Sequence, residues 1–131
     1  KENFTSRTGM FFSVIYGKDR YIAVGSDIND NYGIYVSKDG DIWYGSFGPK
    51  KRGVFTGVIY GKDIYIAVGS SINNIYSIYI SRNGTTWFTH GPEKHGAFNN
   101  IIYGNNTYVA VGVDINGDSS IYINRNIEIN I

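Results

Sequence analysis

Cysteine is absent from this chain of 131 residues, and its positive and negative charges nearly cancel. Without cysteine the chain has no disulfides, no zinc–thiolate sites and no cysteine nucleophile. A formal net charge of +1 provides no electrostatic basis for binding nucleic acid or an anionic membrane surface. No apolar run approaches the ~20 residues that a membrane-spanning helix needs. A helical period of useful length is also missing, so the pattern excludes an α-helical domain.

Glycine and tyrosine are abundant instead, with 17 and 12 residues. Such a mixture favours strands joined by tight turns. The stretch 58–69, Val-Ile-Tyr-Gly-Lys-Asp-Ile-Tyr-Ile-Ala-Val-Gly, is closely matched by 14–25 and by 101–112. Its Tyr-Gly pairs begin at residues 16, 60 and 103, so the period is 44 and then 43 residues. A period of this size indicates a solenoid, a propeller or an array of small units.

Each repeat predicts four short antiparallel strands. The second strand of each is almost continuously apolar, which is typical of burial on both faces. Asp39-Gly40 and Asn83-Gly84 predict hairpin turns, because these pairs adopt positive φ at little cost. We predict strands at 10–16, 21–25, 33–37 and 42–46, at 54–60, 64–69, 77–81 and 86–90, and at 97–103, 107–113 and 120–124. The chain is therefore predicted to be one all-β domain over 1–131, with repeats at about 9–46, 53–90 and 96–131.

Four strands in about 44 residues match one blade of a β-propeller, for which ~40–50 residues is usual. The segments 37–43, Ser-Lys-Asp-Gly-Asp-Ile-Trp, and 81–87, Ser-Arg-Asn-Gly-Thr-Thr-Trp, resemble a shortened Asp-box of the BNR and sialidase-like β-propellers. The resemblance covers nearly the whole chain, but segment 124–130 has lost the box residues. It implies three propeller blades, in a family that includes glycosidases, lectin-like binders, receptors and assembly factors.

The box has a physical explanation that needs no catalysis. The Asp or Asn side chain accepts hydrogen bonds from turn amides, glycine takes the positive φ, and tryptophan packs between adjacent sheets. We therefore predict a structural role for the box residues, which are Ser37, Asp39, Gly40 and Trp43 in the first repeat and Ser81, Asn83, Gly84 and Trp87 in the second.

Ligand binding is predicted on the face that collects the variable loops. Alternating strands place loops 26–32, 70–76, 113–119, 47–53 and 91–96 together, opposite the Tyr-Gly and box turns. Tyrosine beside Asn and Asp suits stacking on a sugar ring with hydrogen bonds to its hydroxyls, although packing at the strand ends is an alternative. The candidate ligand residues are Tyr32, Asn29, Asn31, Tyr76, Asn73, Asn74, Asn116 and Asp118.

Two loop patterns have the residue types of a metal site. Asp27, Asn29 and Asn31, like Asp114, Asn116 and Asp118, alternate in the manner of a calcium loop, but no bidentate Glu follows and the glycine spacing differs. Turn formation by Asx residues explains them more simply. His90, Glu93 and His95 share one loop that has no copy elsewhere in the chain. We therefore predict no metal and no cofactor.

An enzymatic function is not indicated. A sialidase needs a cluster of arginines, and those at 7, 20, 52, 82 and 125 do not fall at matching repeat positions. The prediction is a non-enzymatic, lectin-like module that recognises carbohydrate and is extracellular or surface-associated. The alternative is a structural or self-assembly segment of a larger propeller, or of a surface or virion protein, with no small ligand.

Three blades are too few to close a ring, since propellers have ~4–8. Two chains would supply six blades around a two-fold axis, so the sequence predicts a homodimer. Residues 1–8 are read as an orphan fourth strand that completes the third blade of the partner, where the tail 127–131 would compete for the edge or extend it. Excision from a longer propeller is the other explanation.

Overall fold

A computed structural model describes residue 4 and residues 8–125. This part of the chain contains ten strands and no helix, arranged in three antiparallel sheets. Sheet A holds β1 (Met10–Gly17), β2 (Arg20–Ser26) and β3 (Tyr32–Ser37). Sheet B holds β4 (Gly53–Gly61), β5 (Ile64–Ser71), β6 (Tyr76–Ser81) and β7 (Phe88–Thr89). Sheet C holds β8 (Gly96–Gly104), β9 (Thr107–Asp114) and β10 (Ser119–Asn124). The all-β prediction is confirmed, with the first three strands of every repeat in place.

The fourth strand predicted at 42–46 is wrong. Val36 and Tyr44 exchange two backbone hydrogen bonds of 2.9 and 2.8 Å, but the next bond joins the Phe47 amide to the Ile34 carbonyl at 2.9 Å. Two residues of β3 therefore span the same distance as three of the edge segment, which interrupts a regular ladder. In sheet B the predicted strand 86–90 is reduced to β7. The predictions for residues 1–3, 5–7 and 126–131, including most of the orphan strand and the whole tail strand, lie outside the described residues.

The Tyr-Gly turn has the same geometry in all three sheets. The two residues after each glycine have positive φ: 50° and 67° at Lys18 and Asp19, 50° and 64° in sheet B, and 49° and 55° in sheet C. Two consecutive residues of this kind make the hairpin turn whose twist matches that of the flanking strands. Each first strand also carries a bulge at the same place, between Phe55 and Gly57 in sheet B. The repeated sequence therefore folds into a repeated local structure.

The core lies between the sheets. One apolar cluster joins sheet A to sheet B, and a second joins sheet B to sheet C. In both clusters one sheet contributes mainly aliphatic side chains, such as Ile22 and Ile66, together with one tyrosine, Tyr32 or Tyr76. Its neighbour contributes a face of Phe, Tyr, Val or Ile, and Ala, centred on Phe55 or Phe98. We call these the aliphatic face and the tyrosine face of a sheet.

Within the described residues, two of the six sheet faces lack a neighbouring sheet. The tyrosine face of sheet A exposes Phe11, Val14 and Tyr16, and the aliphatic face of sheet C exposes Ile102 and Ile121. The described residues therefore form an open stack of three sheets. Within the same residues, no helix is long and apolar enough to cross a membrane.

Candidate functional site: the loop face and the box turns

The box turns are held together by hydrogen bonds within themselves. Asp39 Oδ1 accepts the amides of Asp41 at 2.9 Å and Ile42 at 3.0 Å, and the Trp43 indole donates to the Gly40 carbonyl at 2.9 Å. The amides of Ile42 and Asp41 lower the pKa of the Asp39 carboxyl, because they stabilise its charged form.

The second box has the same geometry with asparagine in place of aspartate. Asn83 Oδ1 accepts the amides of Thr85 and Thr86, each at 2.9 Å, and the Trp87 indole donates to Gly84 at 2.8 Å. Gly40 and Gly84 have φ of 86° and 85°, and the Ser37 and Ser81 hydroxyls each accept the glycine amide at 2.8 Å. An acceptor oxygen is all that the position requires, so these side chains serve the turn.

The carboxylates of the acidic loop residues also accept hydrogen bonds from backbone amides of their own loops. Asp27 Oδ1 accepts the amides of Asn29 and Asn31, each at 2.9 Å. Asp114 Oδ1 accepts those of Asn116 at 2.9 Å and Asp118 at 3.0 Å. In sheet B the Ser71 hydroxyl takes the same place for Asn73 and Ile75. A serine that replaces the aspartate supports turn formation rather than metal binding, and no group of three or more potential metal ligands occurs among the described residues.

Tyr32 does not offer a ring for stacking on a sugar. Its side chain is only 3% exposed, with the ring centroid 4.6 Å from that of Phe55 and 5.6 Å from that of Tyr79. Its hydroxyl is hydrogen bonded to the Ser77 hydroxyl across the A–B interface, and burial raises its pKa. In place of the predicted ligand contact, Tyr32 makes the packing contact that was the alternative.

Tyr76 repeats this contact between sheets B and C. Its ring centroid lies 4.5 Å from that of Phe98, and its hydroxyl is 2.7 Å from the Ser120 hydroxyl. The side chain remains half-buried, and it also borders two open grooves. The repeat period relates Tyr76 to Tyr32, and the two Ser partners to each other, so a comparison of the repeats with an inter-sheet contact in mind would have found this pair of ties.

A groove of about 620 Å³ lies on the loop face of sheet B. Asn73, Lys51, Arg52, His90 and Glu93 are among the residues that line it. Its lining therefore combines amide, cationic and carboxylate groups with the half-buried residues Tyr76 and Tyr79. Of the predicted ligand residues, only Asn73, Tyr76 and the buried Tyr32 line it. Asn29, Asn31, Asn74, Asn116 and Asp118 do not, and the basic and acidic groups of the inter-sheet loops were missed because they have no copy in the other repeats.

A second groove of about 710 Å³ lies beside sheet C. Pro92, Lys94, His95, Phe98 and Tyr122 are among the residues that line it. Comparisons of this chain with protein-family models, with curated proteins and with solved structures found no match.

Proposed function

We propose that this chain is a non-enzymatic interaction module built from propeller-type blades, and that it works by binding further blades at its two uncovered faces. The observation that carries the proposal is the composition of these faces. The tyrosine face of sheet A has the same residue types as the buried tyrosine faces of sheets B and C. The aliphatic face of sheet C likewise matches the buried aliphatic faces of sheets A and B.

Exposed apolar surface of this kind favours association. Val14 on sheet A is 58% exposed, whereas its repeat partner Val58 is buried against the neighbouring sheet. Each buried Val or Ile stabilises by about 1.5–3 kcal/mol relative to an exposed one. Several such residues lie side by side on each face. A partner that covers the faces would therefore make the complex more stable than the separate chains. The resemblance to Asp-box propellers agrees with blades as the binding partner.

Light scattering over a range of concentrations tests this proposal. We expect a mass above that of the 14.6 kDa chain. A lysine substitution at Val14 or Ile121 should reduce that mass, because a charge buried in an apolar interface is costly. A particle of one chain mass at every concentration would show that the faces do not bind blades.

Carbohydrate recognition is the second candidate, and the groove of sheet B favours it. Amide and carboxylate groups supply acceptors and donors for sugar hydroxyls, and partly exposed tyrosine rings supply an apolar floor. We expect Asn73→Ala to remove glycan binding on an array. Asn29→Ala is the matched control, since Asn29 holds the equivalent loop position in sheet A but does not line the groove. Equal glycan signals from the two variants and the unmodified chain would place any binding elsewhere.

A further inference from the structure

We infer that the partner at both uncovered faces is a second copy of this chain, with sheet C of one copy packed on sheet A of the other. We call this contact the C–A′ junction. The inference rests on the proposed function and deepens it, because it names the partner and the pairing of the faces. The two internal interfaces, A–B and B–C, provide the template.

Most of the aliphatic half of the template is present on sheet C. Five positions of this face carry only Ile or Val in every repeat, whereas Ile64 and Tyr76 of sheet B are replaced by Thr107 and Ser119 in sheet C. In sheets A and B these five residues pack against the next sheet, while in sheet C four of them are exposed and Val109 is half-buried. The sets are Ile15, Ile22, Val24, Ile34 and Val36; Ile59, Ile66, Val68, Ile78 and Ile80; and Ile102, Val109, Val111, Ile121 and Ile123.

Six positions of the tyrosine half are present on sheet A, where Ala23 and Tyr35 are already buried and the other four are exposed or half-buried. Residues of the same type, or Val and Ile in one position, stand at six places in every repeat. The sets are Phe11, Val14, Tyr16, Tyr21, Ala23 and Tyr35; Phe55, Val58, Tyr60, Tyr65, Ala67 and Tyr79; and Phe98, Ile101, Tyr103, Tyr108, Ala110 and Tyr122.

At each internal interface, two tyrosines of one sheet contact a glycine of the neighbouring sheet; we call this contact the first tie. The residues for the same tie are also present on the two faces of the C–A′ junction. The Tyr108 hydroxyl donates to the Gly61 carbonyl at 2.8 Å, and the Tyr103 ring lies against Gly61. In the same way, the Tyr65 hydroxyl donates to the Gly17 carbonyl, and the Tyr60 ring lies against Gly17. The third glycine, Gly104, has open space where a side chain would project. On the template, Tyr21 and Tyr16 of a second copy would fill that space.

The second tie is a hydrogen bond between a tyrosine and a serine hydroxyl. At the C–A′ junction both of these residues are replaced. Tyr32 bonds to Ser77, and Tyr76 bonds to Ser120. The third pair would be Ser119 of sheet C and Gly33 of sheet A, which provide neither the ring nor the hydroxyl partner. A tyrosine at 119 that faced a glycine would bury a hydroxyl without its partner, at a cost in stability. Loss of both members together avoids this cost when these two faces are in direct contact, and it therefore favours a second copy over an unrelated blade.

The number of sheets sets the number of copies. Propeller rings have ~4–8 blades. Two copies supply six, whereas one supplies three and three supply nine. Two copies also produce the two-fold symmetry that is commonest among homo-oligomers, with two equivalent C–A′ junctions.

Mixing two variants tests the pairing. Val14→Lys damages only the tyrosine face of sheet A, and Ile121→Lys damages only the aliphatic face of sheet C. In either homodimer both junctions contain a damaged face, so we expect each variant alone to associate about 100-fold more weakly or worse. A 1:1 mixture gives a heterodimer with one intact junction and with both lysines in the other. Because one lysine already opens that junction, the second adds little further cost, and native mass spectrometry should find about tenfold more heterodimer than either homodimer. Ile28→Lys is the control, since Ile28 is 68% exposed on a loop and Ile121 is 67% exposed on the face.

The outcomes separate the junction from the proposed function. Enriched heterodimer, together with normal dimers of Ile28→Lys, supports the C–A′ junction. If only one variant loses association and mixing gives no enrichment, like faces bind like, so the junction is overturned while the proposed function stands. If both variants lose association and mixing gives no enrichment, the junction is also overturned. A monomeric unmodified chain, or variants that dimerise normally, would overturn both.

Discussion

Truncation of Tyr32 is expected to destabilise the folded protein rather than to empty a ligand site. The ring fills the A–B interface between Phe55 and Tyr79, and its hydroxyl bonds to the buried Ser77. Removal of a large buried ring costs about 3–5 kcal/mol. Tyr32→Phe keeps the ring and removes only the hydrogen bond, so it should cost about 1–2 kcal/mol.

Urea unfolding followed by circular dichroism measures these costs from the midpoint and the slope. Tyr44→Ala is the control, because the Tyr44 side chain is exposed, and surface substitutions of this kind usually change stability by less than about 0.5 kcal/mol. The free energy of unfolding should therefore be well below that of Tyr32→Phe for Tyr32→Ala, and close to that of the unmodified chain for Tyr44→Ala. A Tyr32→Ala variant within about 1 kcal/mol of the unmodified protein would contradict a packing role for this residue and return it to the ligand candidates.

Three further predictions concern the junction, the box and the loops. Gly104→Ala should weaken dimer formation, because only a partner ring would meet the added methyl, and should leave the melting temperature unchanged at concentrations where the chain is a monomer; equal dimer dissociation constants would contradict this. Asp39→Asn should keep the box turn, since Asn83 makes the same bonds. The folded state lowers the pKa of Asp39, so its charged form stabilises the fold above the unfolded pKa and this contribution is lost as pH falls through the folded value. Urea midpoints between pH 7 and pH 2 should accordingly fall less in the variant, and parallel curves would argue against this. A chelator should leave the melting temperature within about 2 °C, because the carboxylates of Asp27 and Asp114 already accept loop amides and a bound metal would otherwise stabilise by mass action; a large drop would mean that these loops hold a cation.

The repeat itself determines the local structure of this chain. The Tyr-Gly pairs predict the hairpins. In the structure, the two residues after each glycine have the positive φ that such hairpin turns need. The box turns follow from residue types alone, since an acceptor side chain, a glycine and a tryptophan at fixed spacing satisfy their own hydrogen bonds. Alternation and apolar runs also place the strands, because a strand buried on both faces needs apolar residues at nearly every position.

The role of each tyrosine was decided by the stacking of the sheets. Tyr32 stands in a polar neighbourhood of the sequence, between Asn31 and Gly33, so its environment along the chain suggests an exposed loop. Its actual neighbours, Phe55 and Ser77, come from the next repeat and meet it only when sheet B packs on sheet A. Sequence periodicity reports which residues are equivalent, but it does not report which of them touch.

The irregular edge of sheet A and the groove of sheet B likewise could not be predicted from the sequence. The segment around Tyr44 has the pattern of a strand, yet one extra residue before Phe47 breaks the ladder. Lys51 and Glu93 belong to different inter-sheet loops, and they border one groove only because the order of the sheets brings those loops together. Backbone turns depend on a few adjacent residues and can be predicted from them, whereas faces and grooves depend on contacts between residues more than twenty positions apart.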